Sequence, residues 1–193
     1  MKKHIGLLFG SFNPIHIGHL IIAETVADQE GIDQVWLVVS PQNPFKQKKD
    51  LLNQYDRLHL VELAINGNLK LKSSNIEFNL PKPSYTITTL TYLKEKYPTY
   101  DFSLIMGEDN LEHFHKWKNH EAILKYHNII IYPRIESSTN KYADFENVKR
   151  LDVPYIGISA TLIRKSLKAG KTIRYLVNEA VYDYVMKTNW WRG

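Results

Sequence analysis

Two apolar runs near the start of the chain, separated by one segment of helical pattern, constrain its fold more than any other feature. Residues 5–9 have the short, continuous apolar pattern of a buried strand, which Gly10 and Pro14 interrupt. Apolar residues at helical spacing follow at residues 17–26, and a second apolar run occupies residues 34–40. A strand, a helix and a second buried strand in this order predict a parallel crossover.

The same alternation continues along the chain and predicts a doubly wound parallel sheet. Further helices are expected at residues 53–65, 86–96, 160–167 and 178–186, and further strands within 69–78 and at 102–106, 128–132 and 155–157. With 193 residues, 44% of them hydrophobic, residues 1–193 are expected to form a single domain around one core. The predicted fold class is α/β, a Rossmann-like domain whose ligand crevice lies beyond the carboxyl ends of the strands.

The segment from Gly10 to His19 has the features of a phosphate-binding corner. His16 and His19 lie three residues apart at a predicted helix start, so they share one face beside free N–H groups and the positive end of the helix dipole. Such a corner attracts phosphate, and imidazole can donate hydrogen bonds to its oxygens. Gly10 and Gly18 carry no Cβ, so phosphate oxygens or a base are expected to approach the main chain there.

A second anion site is expected at the helix that starts near residue 160. Ser159 is a natural N-cap, and the N–H groups of the first turn add donors. Arg164 follows about one turn later, where a guanidinium can bind phosphate oxygens with two parallel hydrogen bonds. Taken alone, the segment is more typical of a capped helix with a solvated arginine.

Composition narrows the class of protein without choosing a function. The formal charge of +5 and the pI near 9.2 suit a protein that binds anions, whether nucleotides or nucleic acid. The chain has no cysteine, signal peptide or long apolar span, so a soluble cytoplasmic protein is expected. Zinc is the weaker interpretation of the histidine pair, because a third ligand would have to come from His113 or His115.

The segment Gly10–His19 resembles the H-x-G-H signature of the nucleotidyltransferase superfamily of adenylyl- and cytidylyltransferases. The match is complete except at Asn13, where many members carry Asp; Asn has about the same size but lacks the charge, so altered tuning is expected here, not lost function. The resemblance implies that both histidines contact the phosphates of the nucleoside triphosphate. Residues 158–164 resemble the I-S-x-T-x-I-R motif that closes the same site. The implied ATP-binding residues are Gly10, Ser11, Phe12, Gly18, Ser159 and Thr161, with His16, His19 and Arg164 acting on the phosphates.

Within this superfamily, the chain most resembles the bacterial nicotinate-nucleotide adenylyltransferases. The resemblance covers nearly the whole chain and includes residues 83–90, 107–110 and 114–118 and the C-terminal helix at 177–185. It implies that Tyr85, Thr86, Asp109 and Trp117 bind the mononucleotide. Tyr85 and Thr86 open a predicted helix whose main-chain donors suit a carboxylate, Asp109 can accept hydrogen bonds from ribose hydroxyls, and Trp117 can stack on the pyridine ring.

Basic residues near the predicted crevice complete the expected site. Lys46, in the loop of residues 42–49, matches a family lysine close to the transferred phosphate. Lys118 stands where the family usually has an aromatic residue, and its charge favours an acid over an amide as acceptor. Arg57 and Arg134 are secondary candidates for contacts with the mononucleotide.

The activity implied by the resemblance is transfer of the adenylyl group of ATP to nicotinate mononucleotide, with Mg²⁺ accompanying ATP and no metal site among the protein's own residues. The alternatives are a phosphopantetheine or nicotinamide mononucleotide adenylyltransferase or, outside enzymes, a non-catalytic nucleotide sensor or RNA-binding protein. No recognisable aromatic platform for RNA is present in the sequence, so neither a nucleic acid nor a membrane is expected as a partner. The sequence permits an oligomer without predicting one.

Overall fold

The computed structural model of the chain describes residues 2–29, 31–42, 50–133, 142, 145–153 and 155–191. Within these residues the strands are β1 Lys3–Gly10, β2 Gln34–Val39, β3 Leu71–Ser74, β4 Tyr100–Gly107, β5 Asn128–Tyr132 and β6 Val148–Arg150. The helices are α1 Ile17–Ala27, α2 Gln54–Ile65, α3 Thr86–Lys96, α4 Glu108–Glu112, α5 His120–Tyr126, α6 Ala160–Lys168 and α7 Glu179–Lys187. Short 3-10 helices lie at Ile76–Asn79 and Phe114–Lys116.

The strands of the described residues form one parallel sheet in the order β3-β2-β1-β4-β5-β6. The chain moves outward from β1 to β3, returns to β4 beside β1, and then moves outward in the other direction. This order confirms the predicted doubly wound α/β fold, and its direction reverses between β1 and β4. At that point Gly10 is paired with Val39 of β2, and Leu8 is paired with Ile105 of β4. A ligand crevice is therefore expected just beyond Gly10.

Side chains of β1 alternate between two hydrophobic cores, one on each face of the sheet. Ile5 and Leu7 pack on one face with residues such as Leu90 of α3. Leu8 packs on the other face in the core that contains Val26 of α1. Because both faces are covered, the central strands have the continuous apolar pattern seen in the sequence. In the described part of the chain, no helix is both long enough and apolar enough to cross a membrane.

The prediction of a strand at residues 155–157 is wrong, because β6 at Val148–Arg150 takes the position beside β5. Hydrogen bonds at 2.8 Å join the Ile129 N–H to the Asn147 carbonyl and the Leu151 N–H to the Ile131 carbonyl. The middle and last residues of β6 are exposed and charged, which suits a sheet edge and masks the strand in the sequence. Residues 155–157 form no ladder, and Ile156 packs against the core instead.

The sequence patterns do not reveal α4 and α5. These helices have five and seven residues, too few to show an apolar repeat at helical spacing.

Candidate active site

A cleft of about 390 Å³ opens at the carboxyl ends of the central strands, where the sheet order reverses. It is lined by the loop after β1, the end of β4 with α4, and the starts of α3 and α6. Segments that follow β1 and β4 and those that open α3 and α6 therefore share one cavity. Of the candidate residues, the lining includes Gly10, Ser11, Phe12, His16, His19, Tyr85, Thr86, Asp109, Trp117, Ser159, Thr161 and Arg164.

Two candidates cannot be placed in the cleft. Lys46 and Arg134 both lie outside the described residues, and their roles stay predictions.

His16 and His19 form a stacked pair at the start of α1. Their ring centroids lie 3.6 Å apart with planes 24° from parallel, and the Phe12 ring meets His19 edge-on at 5.0 Å. His16 is the N-cap residue, and its backbone N–H donates to Nδ1 of His19 at 3.3 Å. Because Nδ1 of His19 accepts this bond, a neutral His19 ring carries its proton on Nε2. The pair thus presents an imidazole donor beside the helix N-terminus, as phosphate recognition requires.

The two glycines of the loop leave room for neighbouring side chains. A Cβ at Gly10 would lie 2.7 Å from the Phe12 ring, and one at Gly18 would lie 3.0 Å from Cγ2 of Ile156 and 3.1 Å from Nδ1 of His16. Neighbouring side chains therefore fill the space where each Cβ would lie, and the approach of a ligand to the main chain at Gly10 and Gly18 stays a prediction. Phe12 itself takes a left-handed backbone conformation, with φ at 46°. The glycines allow the Phe12 and His16 rings to pack closely under the loop.

The start of α6 meets the loop after β1, as the second motif predicted. The Ser159 hydroxyl caps the helix by accepting from the Leu162 N–H at 3.2 Å. Nη1 of Arg164 donates to the Asn13 carbonyl at 2.9 Å, and its Nη2 donates to Oγ1 of Thr161 at 3.4 Å. These bonds orient the guanidinium at the wall of the cleft, and three of its five N–H donors remain beyond the two used here. Two segments about 150 residues apart in sequence thus meet at the wall of the cleft, with donors that can bind an anion.

Arg57 lies beneath this corner, and the suggestion that it contacts a mononucleotide is wrong. The side chain is only 1% exposed. It donates to the carbonyl oxygens of Ser11 at 2.6 Å, Ser40 at 2.8 Å, Leu52 at 3.0 Å and Pro41 at 3.3 Å. Burial lowers the pKa of Arg57 to about 10. The guanidinium therefore holds the loop after β1 to the end of β2 and to the start of α2.

The start of α3 and the segment around α4 contribute the residues predicted to bind an acceptor to the lining of the cleft. Tyr85 is the N-cap residue of α3, so the first N–H groups of that helix border the cleft. Nζ of Lys118 lies 4.7 Å from the centre of the Tyr85 ring. Trp117 is half-buried against Phe114, with ring centroids 5.6 Å apart. This part of the lining combines helix donors, a cation and an aromatic face.

Asp109 is exposed on the first turn of α4, directly after β4. A Cβ at Gly107 would collide with its carboxylate. The glycine therefore lets this acidic side chain fold back toward the end of the strand, on the rim of the cleft.

Glu77 is a buried acid in the cleft wall that sequence analysis overlooked. Its side chain is 1% exposed and accepts a hydrogen bond from Oγ1 of Thr89 at 2.7 Å. Burial raises the pKa of Glu77 above its ordinary value, and the hydrogen bond from Thr89 opposes that rise. The only signal in the sequence is a single acid between Ile76 and Phe78, which does not reveal burial.

Together, the sheet order and the two helix starts define the chain as a nucleotide-binding α/β protein of nucleotidyltransferase type. The model of the cytidylyltransferase-like family matches residues 7–166. A probable nicotinate-nucleotide adenylyltransferase of Cytophaga hutchinsonii is 51% identical over 187 residues, which cover 97% of each chain. Another, from Flavobacterium psychrophilum, is 50% identical over 190 residues, covering 97% of this chain and 98% of the relative. The chain therefore belongs to the cytidylyltransferase-like family and, within it, to the nicotinate-nucleotide adenylyltransferases.

A solved structure supports the fold assignment independently of close sequence similarity. The nicotinic acid mononucleotide adenylyltransferase of Plasmodium falciparum, solved in complex with NaAD, superposes with a TM-score of 0.85 at 22% identity. The match covers 98% of this chain and 97% of that one. The family resemblance and the fold predicted from the motifs are both confirmed.

Proposed function

We propose that this chain transfers the adenylyl group of ATP to nicotinate mononucleotide, giving nicotinate adenine dinucleotide and pyrophosphate. The observation that carries the proposal is the 2.9 Å hydrogen bond from Arg164 to the Asn13 carbonyl. It unites the two phosphate motifs in a cleft whose lining also has the features of an acceptor site. Membership of the nicotinate-nucleotide adenylyltransferases supports the same activity.

The reaction requires positioning and charge stabilisation more than it requires a protein nucleophile. An oxygen of the mononucleotide 5′-phosphate attacks the α-phosphorus of ATP, and the bond from that phosphorus to the bridging oxygen of pyrophosphate breaks. A phosphate monoester is already nucleophilic, so the protein has to align it and stabilise the negative charge that develops. His16, His19 and Arg164 line the same end of the cleft and are proposed to carry out this task. Lys46 is proposed to assist them.

Mg²⁺ enters the proposal as part of the substrate, bound to ATP mainly through phosphate oxygens and water. In the described ranges, no group of three or more His, Asp or Glu side chains is arranged to hold a metal ion. The phosphate end of the cleft offers imidazole, guanidinium and hydroxyl groups, which suit the phosphate oxygens themselves.

The acceptor end suits an acid better than an amide. The first N–H groups of α3 and the Lys118 ammonium both favour a negative charge. We propose that they receive the pyridine carboxylate, that Trp117 stacks on the ring, and that Asp109 accepts from ribose hydroxyls. The Thr86 hydroxyl adds a donor at the same helix start.

The first test is pyrophosphate release from MgATP with each of three acceptors offered separately: nicotinate mononucleotide, nicotinamide mononucleotide and phosphopantetheine. We expect a strong preference for nicotinate mononucleotide, and Lys118→Met should reduce its advantage over the amide. Preference for another acceptor would overturn the assignment of the substrate. Binding of ATP without turnover of any acceptor would instead indicate a nucleotide sensor.

A second test separates a role in the reaction from a role in folding. His19→Ala should lower kcat by about 10²- to 10³-fold, the usual cost of losing a preorganised donor to a transition state. Its melting temperature should fall by only about 2 to 4 °C, because the main structural loss is one hydrogen bond at the start of α1, from the His16 N–H. His113→Ala is the matched control, since His113 is exposed on the short connection between α4 and the 3-10 helix that follows. Equal losses of activity and stability in His19→Ala would contradict the proposed role.

A further inference from the structure

Asn13 occupies a central place in the phosphate corner that the reaction scheme does not use. Its side chain is only 5% exposed, although the residue borders the cleft. Nδ2 of Asn13 donates to the Asp50 carbonyl at 2.9 Å, and Oδ1 accepts from the Leu52 N–H at 3.2 Å. One amide therefore binds both a carbonyl and an N–H group of the segment of residues 50–52. An ionised carboxylate could accept the second bond but could not donate the first.

The main chain of Asn13 completes the link to the candidate catalytic groups. Its carbonyl accepts the 2.9 Å bond from Nη1 of Arg164. The position of the guanidinium in the cleft thus depends on the position of Asn13, which in turn depends on residues 50–52.

A residue near the C-terminus donates a second hydrogen bond to the Asp50 carbonyl. The indole Nε1 of Trp191 donates to the Asp50 carbonyl at 3.2 Å, across 141 positions of sequence. The Trp191 side chain is 8% exposed, so this bond is largely shielded from water. Nζ of Lys168 also lies 3.0 Å from Oδ2 of Asp50, but both partners of this ion pair are substantially exposed, so it adds little rigidity.

We propose that Asn13 and Trp191 are positioning residues for adenylyl transfer, which act jointly through the Asp50 carbonyl. Trp191 and Asn13 hold residues 50–52, and Asn13 then sets the orientation of Arg164 toward the phosphates. The inference rests on the proposed function for its kinetic readout. It assigns a role in phosphate positioning to a residue at the far end of the chain.

The test compares Asn13→Asp and Trp191→Phe with Trp190→Phe. The first change keeps the size and the acceptor but removes the donor to Asp50, and the second keeps an aromatic ring but removes the indole N–H. Trp190→Phe is the control, because Trp190 is an adjacent tryptophan whose described contacts are ring packing against Tyr184 and Trp191.

At a temperature well below every melting point, Asn13→Asp should lower kcat about tenfold and Trp191→Phe about threefold, since small misplacements of aligned groups slow a reaction substantially. KM for the mononucleotide should stay within about twofold of wild type in both variants, because the hydrogen bonds of Asn13 and Trp191 described above join residues 50–52 and Arg164, none of which is proposed to bind the mononucleotide. The control should keep wild-type kcat.

The inference is overturned if Trp191→Phe behaves like Trp190→Phe, or if Asn13→Asp lowers the melting temperature while kcat stays unchanged. A wild-type protein that releases no pyrophosphate with any acceptor would refute the proposed function instead. In that case the affinity for ATP alone decides: weaker binding in Asn13→Asp and Trp191→Phe than in the control supports the positioning role, and equal binding refutes it.

Discussion

Replacing Arg57 with methionine removes the cation that joins three segments beneath the phosphate corner. Methionine has a similar length and suits a buried position, so the change mainly removes hydrogen bonds. Three of the four carbonyl partners lie within 3.0 Å of guanidinium nitrogens, and each such bond from a charged donor contributes about 1.5 to 3 kcal/mol. The variant no longer has to bury a charge, which offsets part of the loss, and a net destabilisation of about 3 kcal/mol is expected. For a chain of this size that corresponds to a fall in Tm of about 6 to 12 °C.

The assay is urea unfolding followed by tryptophan fluorescence, with Tm measured in parallel and KM measured for both substrates. Arg174→Met is the matched control, because Arg174 pairs with Glu179 at 2.9 Å on the exposed surface. That substitution should change stability by no more than about 0.5 kcal/mol. The reasoning is refuted if Arg57→Met keeps wild-type stability and raises KM for the mononucleotide alone, since a direct contact with substrate would then be its main role.

Three smaller predictions concern titration and capping. Because burial raises the pKa of Glu77, the folded protein should lose stability as the pH rises from the ordinary pKa of glutamate through the raised pKa in the folded state. Glu77→Gln should flatten that part of a profile of Tm against pH. Parallel profiles for the variant and the wild type would contradict this prediction. Burial and the nearby Lys94 charge lower the pKa of His127, so stability should fall as the pH drops below about 6.5. Urea titrations between pH 5 and 8 should show that His127→Gln removes this dependence of the unfolding free energy on pH. Ser159→Ala should cost about 1 kcal/mol, because the N-cap bond to Leu162 is lost, and it should also slow pyrophosphate release, whereas an unchanged Tm would show that the cap is dispensable.

The parts of the fold that could be predicted are the strands and helices with a clear local pattern of apolar residues or caps. The apolar runs of β1 and β2 with the helical spacing between them determine a parallel crossover, since each element buries its own face wherever its neighbours lie. The N-cap at Ser159 and the start of α3 after Tyr85 follow from local chemistry in the same way. The edge strand β6 escaped prediction because two of its three residues are charged and exposed, so it lacks the apolar pattern that reveals the central strands.

The features of the site can likewise be separated into those that local sequence reveals and those that only the tertiary structure reveals. By itself, the sequence determined the two phosphate motifs and the family, because these depend on residue types at short, fixed spacings. Only the tertiary structure decided that Arg57 binds backbone carbonyls beneath the loop, that Glu77 is buried in the cleft wall, and that Asn13 and Trp191 meet at the Asp50 carbonyl. An arginine on a helix has the same local pattern whether it faces solvent or the interior. Its partners are chosen by the order of strands that brings distant segments together, and that order is a property of the whole chain.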